Sequence, residues 1–152
     1  MKNNKIAIIG LGYVGLPLAI EFGKKYKTYG YDINQTRIKY LKKGLDKTKE
    51  FKKDYIVSSK KLIFVNKIKQ LENCNIFIVT VPTPIFKNNK PDLRNIIDAT
   101  KKIASIIKKN SIVIFESTVY PGLTEEVCIP ILEKISNLKS NKDFYYGYSP
   151  ER

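Results

Sequence analysis

A glycine pattern near the amino terminus constrains the fold of this chain more than any other feature. Gly10, Gly12 and Gly15 follow an apolar segment, residues 5–9, and open an apolar-periodic segment, residues 14–25. This G-x-G-x-x-G spacing between a predicted strand and a predicted helix is typical of dinucleotide-binding βαβ units. The first glycine permits a tight turn, the second lets the backbone approach a pyrophosphate, and the third lets the helix pack closely on the sheet. A glycine-rich turn in an α/β domain without a ligand is the alternative interpretation.

Asp32 supports the prediction of a dinucleotide site. It ends the second predicted strand, 22 residues after Gly10, where a carboxylate accepts hydrogen bonds from both hydroxyls of the adenosine ribose. Because a carboxylate there repels a 2′-phosphate, the sequence favours NAD over NADP. An aspartate that only caps the following turn is the alternative. Arg37 is predicted to lie against the adenine or its phosphates, with a plain surface arginine as the alternative.

Strand and helix patterns alternate along the whole chain, which favours a parallel sheet built from βαβ units. Its 152 residues are the length of one domain. We therefore predict a single α/β domain over residues 1–152, a Rossmann-type, doubly wound, mainly parallel sheet with helices on both faces. The predicted strands are 5–9, 28–32, 62–65, 75–81, 111–115 and 144–148. The predicted helices are 14–25, 36–43 ended by Gly44, part of 50–57, one starting from an N-cap at Asp92, and 123–135.

Further candidate residues follow the later strands. Ligands of open α/β sheets bind at the carboxyl ends of the strands, so Val81, Thr83, Ser117 and Thr118 are predicted to line the cofactor. Serine and threonine at these places are also common caps, and the prolines beside Thr83 can form a stiff turn without any ligand. Glu151 follows the last predicted strand and is a candidate catalytic carboxylate, with a solvated acid near a terminus as the alternative.

Composition excludes several other classes of protein. The chain has no histidine, which removes histidine-based catalysis and histidine-ligated metals, and we predict no metal site. Its net charge of +14 suggests a protein that binds nucleic acid, but the lysines are spread along the chain and only three residues are arginine. We therefore assign most lysines to solvated helix faces and expect no nucleic-acid partner. The basic and apolar amino terminus is similar to a signal peptide, but its three spaced glycines and the lack of a small-residue cleavage site before Glu21 favour a folded segment. It is also too short to span a membrane. Two cysteines fit a reducing compartment, so we expect a cytoplasmic protein.

Four motifs together resemble the NAD-binding domain of the UDP-glucose/GDP-mannose dehydrogenase family. They occur in family order over essentially the whole chain: GLGYVGLP at 10–17, VPTP at 81–84, ESTVYPG at 116–122 and YSPER at 148–152. Segment 44–50, GLDKTKE, and the SPER ending are most similar to the UDP-N-acetylhexosamine 6-dehydrogenases. These oxidise the C6 alcohol of a UDP-sugar to a carboxylate with two NAD, for surface polysaccharide precursors.

The resemblance implies roles for individual residues. Asp32 and Arg37 would hold the adenosine half of NAD, and Val81, Thr83 and Ser117 would line the cofactor. Thr118 would also line the cofactor. Together, Thr118 and Glu151 would flank the reacting carbon, orienting water and assisting proton transfer. The pyrophosphate would rest on the glycine loop, formed by Gly10, Gly12, Tyr13, Val14 and Gly15.

The resemblance also implies segments that have no counterpart in these residues. In such enzymes a later cysteine carries the covalent intermediate, and neither Cys74 nor Cys128 matches it. We therefore expect a cofactor-binding domain from a larger dehydrogenase that would not turn over UDP-sugars alone. The resemblance implies a homodimer for the full enzyme and allows a monomer for this chain. A stand-alone Rossmann module that binds a nucleotide without catalysis is the alternative.

Overall fold

The computed structural model describes residues 4–48, 50–86 and 90–149. Strands and helices alternate along these residues as the sequence predicts. The strands are β1 Lys5–Ile9, β2 Lys27–Tyr31, β3 Leu62–Val65, β4 Ile76–Val79, β5 Ile112–Phe115 and β6 Tyr145–Tyr148. The helices are α1 Gly15–Lys25, α2 Gln35–Lys42, α3 Lys53–Val57, α4 Arg94–Ala104 and α5 Ile129–Ser136.

The described strands form one six-stranded sheet in the order β3-β2-β1-β4-β5-β6. Every neighbouring pair is parallel, and β1 lies between β2 and β4. The chain therefore winds outward from β1 in one direction and then crosses to β4 to wind in the other. The carboxyl ends of β1 and β4 meet at this reversal, which is where open α/β sheets bind ligands.

Helices cover both faces of the sheet, which confirms the doubly wound prediction. Successive side chains of β1 point to opposite faces of the sheet and so belong to two different cores. Ala7 and Ile9 pack with residues of α4 and α5, and Ile6 and Ile8 pack with residues of α1 and α2. All four are buried, as expected for a parallel strand covered on both sides. Among the helices of the described residues, none has the length and apolar character needed to cross a membrane.

Helix α4 begins later than predicted. Its N-cap is Leu93, so the prediction of an N-cap at Asp92 is wrong. The Asp92 carboxylate still accepts a hydrogen bond from the backbone N–H of Arg94 at 3.1 Å and forms an ion pair with the Arg94 guanidinium at 2.6 Å. An aspartate one position before the N-cap thus accepts a hydrogen bond from an N–H of the first turn. The sequence pattern does not distinguish this arrangement from an aspartate at the N-cap itself.

The predicted helix 123–135 divides into two parts. One π-helical turn, Thr124–Cys128, precedes α5. Pro130 lies in the first turn of α5, where its missing N–H removes one bond of the regular α-helical ladder. A short 3₁₀ helix, Ile68–Leu71, has no counterpart among the predictions. The predicted helix within 50–57 starts only at Lys53, and β4 ends at Val79, two residues before the predicted end at Val81.

Candidate cofactor-binding site

A cleft of about 320 Å³ opens at the carboxyl ends of β1, β2 and β4. It lies at the reversal of strand order and contains five of the residues that the sequence predicts for a cofactor. These are Gly10, Gly12, Asp32, Arg37 and Val81. The fold therefore brings together residues from three separate segments of the chain in one concave site.

The glycine loop turns sharply between β1 and α1. Gly10 has a φ of +97°, a region that residues with a side chain rarely adopt, so glycine is required there. Its N–H donates to the carbonyl of Tyr31 at 2.8 Å, and its carbonyl accepts from the Thr80 hydroxyl at 2.8 Å. A Cβ added to Gly15 would lie 1.8 Å from the Gly10 carbonyl oxygen. Glycine at both positions therefore allows the helix to start directly against the sheet.

Gly12 has a different environment from the other two glycines. It is exposed in the cleft, and a Cβ placed on it would meet no atom of the described residues within 4 Å. The N-cap of helix α1 lies beside it at Val14, whose side chain has no oxygen with which to cap the helix. The first N–H groups of a helix have no acceptor within the helix and favour an anion. Open space at Gly12 beside this helix end fits a pyrophosphate group.

Asp32 follows directly after β2, one residue beyond its observed end, and its carboxylate faces the glycine loop. One oxygen accepts from the Leu11 N–H at 2.9 Å, and the other accepts from the Asn34 N–H at 2.8 Å. Each carboxylate oxygen has two lone-pair sites, so both can accept a further hydrogen bond. The carboxylate is half-buried in the cleft wall, where it can accept bonds from a pair of ribose hydroxyls.

Arg37 lines the cleft, but its guanidinium is tied to the protein. Its Nε donates to the carbonyl of Leu11 at 2.5 Å, and its Nη1 lies 3.2 Å from the Asp46 carboxylate. The sequence allowed two alternatives for Arg37: a contact with the adenosine half of the cofactor, or a plain surface position. The structure places Arg37 partly buried between the glycine loop and the segment after α2, and it lines the cleft, so its contact with the adenosine half stays a prediction.

The predicted residues of the later strands lie in two loops that contact each other. The Thr83 hydroxyl donates to the carbonyl of Thr118 at 2.5 Å, and the buried Ser117 hydroxyl donates to the carbonyl of Val81 at 2.7 Å. Thr83, Ser117 and Thr118 are not among the residues that line the cleft. Their hydroxyls join the loops after β4 and β5 beside it. Glu151 lies outside the described residues.

Helix α4 forms a wall of the cleft that the sequence did not predict. Its residues Asn95, Asp98, Ala99 and Lys102 face the site, and Lys102 forms an ion pair with Asp98. A lysine four residues after an aspartate is common on solvated helices, so the sequence carried no signal for a role in the site.

Other lining residues show how the cleft is closed and charged. Ile33, 69% exposed directly after Asp32, offers an apolar surface at its mouth. Burial raises the pKa of the Tyr31 hydroxyl; Lys102 opposes this shift, and Asp98 and Asp32 add to it. Charges of both signs therefore act at this end of the cleft.

The two cysteines lie in the core and not in the cleft. Cys74 and Cys128 are free and buried, and burial raises the pKa of both thiols, that of Cys74 to about 12. Both cysteines are therefore small buried residues of the core. Within the described ranges, no group of three or more Cys, Asp or Glu side chains is arranged to hold a metal ion.

Three features define this chain as a dinucleotide-binding Rossmann domain. They are a parallel sheet in this strand order, a glycine turn where the strand order reverses, and an aspartate directly after β2. Comparison with known proteins is more specific. Residues 4–152 match the model of the UDP-glucose/GDP-mannose dehydrogenase family, NAD binding domain. The chain belongs to this family, and its cofactor is NAD.

The relatives extend well beyond the length of this chain. It is 53% identical to a UDP-N-acetyl-D-glucosamine 6-dehydrogenase from Pseudomonas aeruginosa, over 100% of the chain and 36% of that protein. It is 35% identical to the solved structure of a UDP-D-ManNAc dehydrogenase from Pyrococcus horikoshii, with a TM-score of 0.86 over 97% of this chain and 36% of that one. The chain is 28% identical to the solved structure of a ternary complex of GDP-mannose dehydrogenase from Pseudomonas aeruginosa. The TM-score is 0.90 over 97% of this chain and 36% of that one. The chain thus spans about a third of the length of the relatives it matches.

Proposed function

We propose that this chain is the NAD-binding domain of a UDP-N-acetylhexosamine 6-dehydrogenase that oxidises the C6 alcohol of the sugar to a carboxylate. The cleft at the reversal of strand order carries this proposal, because it combines an open glycine loop with the Asp32 carboxylate. Identity of 53% over the full chain with a UDP-N-acetyl-D-glucosamine 6-dehydrogenase supports the choice of sugar class. Such a reaction would supply a precursor for a surface polysaccharide in the cytoplasm, and two free buried thiols fit a reducing compartment.

When bound, NAD supplies the acceptor for the hydride that leaves the sugar carbon. The residues of this chain would hold and orient it. The backbone at Gly12 and the N-terminus of α1 would bind the pyrophosphate, and Asp32 would accept bonds from the ribose hydroxyls. Because the Asp32 charge disfavours a 2′-phosphate, NAD would bind in preference to NADP.

The loops after β4 and β5 would hold the nicotinamide end. Hydrogen bonds of Thr83 and Ser117 fix these loops against each other, which supports a rigid wall there. Thr118 and Glu151 would flank the reacting carbon, orienting water and assisting proton transfer. The thiol that carries the covalent intermediate would come from another segment, so the 152 residues alone would bind NAD without oxidising a UDP-sugar.

A chimera tests the proposed reaction. This chain would replace the 36% of the Pseudomonas aeruginosa UDP-N-acetyl-D-glucosamine 6-dehydrogenase that it matches, and NADH formation would be followed with UDP-N-acetylglucosamine, UDP-N-acetylmannosamine, UDP-N-acetylgalactosamine and UDP-glucose. We expect turnover with a UDP-N-acetylhexosamine and little with UDP-glucose. A chimera that folds and binds NAD but oxidises none of them would favour a nucleotide-binding module without catalysis.

A further inference from the structure

The peptide units that flank Leu11 in the glycine loop are held by two oppositely charged side chains. The Leu11 N–H donates to the Asp32 carboxylate at 2.9 Å, and the Leu11 carbonyl accepts from Nε of Arg37 at 2.5 Å. The Leu11 side chain is itself fully buried in the core of the α1 face. These contacts fix the orientation of the backbone that leads directly into Gly12.

Arg37 is held in turn by Asp46, which comes from the segment between α2 and α3. Their charged groups lie 3.2 Å apart, with 15% of the Arg37 side chain and none of the Asp46 side chain exposed. Asp46 also organises its own segment, because its carboxylate accepts from both the N–H and the hydroxyl of Thr48. The backbone N–H groups of Glu50 and Phe51 donate to it as well, at 3.1 and 3.3 Å.

The donors around Asp46 keep its carboxylate charged. Burial acts to raise the pKa of this group, but the hydrogen bonds from Thr48 and Phe51 and the charge of Arg37 outweigh burial, so the pKa lies below its ordinary value. A fixed, charged and inaccessible acceptor gives the Arg37 guanidinium one preferred position. The orientation of Nε toward Leu11 follows from that position.

We propose that Asp46 is a positioning residue of the NAD site: through Arg37 it fixes the carbonyl of Leu11 and so sets the glycine loop in the conformation that receives the pyrophosphate. This inference rests on the proposed function for its effect on NAD. It gives Arg37 a part in shaping the loop, beside the predicted contact with the adenosine half. Asp46 lies 35 residues after Leu11 in the sequence and does not line the cleft.

The first test observes the loop without any cofactor. Asp46→Asn keeps the shape of the side chain and removes its charge, and the backbone amide of Leu11 reports on the loop by NMR and hydrogen exchange. We expect a shifted Leu11 resonance and about tenfold faster exchange of this amide, with core amides of β4 unchanged. Glu133→Gln is the matched control, since Glu133 also organises a loop through Ser140 but lies on α5 outside the cleft. A Leu11 amide that is unchanged in Asp46→Asn would overturn the proposal.

The second test is a double-mutant cycle on NAD affinity. We expect Asp46→Asn to weaken NAD binding about tenfold in the native background and to have no effect in an Arg37→Gln background, as for residues that act through one network. A general loss of stability would instead weaken binding equally in both backgrounds, and that result would contradict the role assigned to Asp46.

Two further results keep these tests decisive. If Asp46→Asn fails to fold, Thr48→Val removes one donor from the carboxylate and is expected to shift the Leu11 amide by a smaller amount; no shift would overturn the proposal. If the native chain binds no NAD, the proposed function fails, while the response of the Leu11 amide still decides whether Asp46 sets the loop.

Discussion

Replacement of Gly12 by alanine is expected to weaken NAD binding at least about tenfold without harming the fold. A Cβ at this position meets no atom of the described residues within 4 Å, and Gly12 is not among the glycines with positive φ. Stability should therefore stay the same or rise by up to about 1 kcal/mol, because alanine restricts the unfolded chain. The same methyl group would occupy the space where the pyrophosphate approaches the backbone. We expect NAD affinity to fall at least about tenfold, or about 1.4 kcal/mol, measured by calorimetric titration.

Two glycine variants provide the controls for this experiment. Gly147→Ala also adds a Cβ with no described atom within 4 Å, but on β6 away from the cleft, so it should leave NAD affinity unchanged and, like Gly12→Ala, keep stability the same or raise it by up to about 1 kcal/mol. Gly15→Ala would place its Cβ 1.8 Å from the Gly10 carbonyl oxygen and 2.4 Å from the Thr80 hydroxyl. Overpacking of this kind costs about 1–3 kcal/mol or more in thermal unfolding. Native NAD affinity in Gly12→Ala would refute the placement of the pyrophosphate.

Three further predictions concern charge and burial. Asp32→Asn keeps an acceptor for the Leu11 N–H but removes the charge, so we expect calorimetry to show about tenfold weaker NAD binding and a smaller ratio of NAD affinity to NADP affinity. An unchanged ratio of the two affinities would contradict the role of this carboxylate. Because the folded pKa of Asp46 lies below its unfolded value of about 3.9, this group stabilises the fold above that pH and loses its contribution as the pH falls through the folded pKa. Acid unfolding of the native chain should accordingly be steeper than that of Asp46→Asn, and parallel curves would refute this. Because burial raises the pKa of Cys74 to about 12, iodoacetamide should label it only after denaturation, and rapid labelling of the native chain in mass spectrometry would contradict its burial.

The architecture could be predicted from the sequence because local patterns and global topology agree. β1 and β3 have the predicted bounds, since their apolar runs are short and are bounded by polar or glycine residues. The π-helical turn Thr124–Cys128 could not be predicted in this way, because its residues fit an ordinary helical pattern. The short helix Ile68–Leu71 has a single buried residue, Leu71, and therefore shows no periodicity.

The site could be predicted only where a local motif carries the chemistry. Gly10, Gly12 and Asp32 line the cleft because of backbone conformation and strand position, which are visible in the sequence. The place of Lys102 in the cleft wall and the ion pair of Asp46 with Arg37 could not be predicted, because both depend on tertiary contacts. The prediction for Arg37 was incomplete for the same reason: its two partners, Leu11 and Asp46, come from segments that meet only in the fold.

Calorimetric titration of the chain with NAD⁺ and, separately, with NADP⁺ tests most directly whether the cleft is an NAD site. The open glycine loop and the Asp32 carboxylate predict NAD⁺ binding in about the micromolar to millimolar range, with clearly weaker binding of NADP⁺. Binding of neither nucleotide, or equal affinity for both, would contradict the function assigned to these residues.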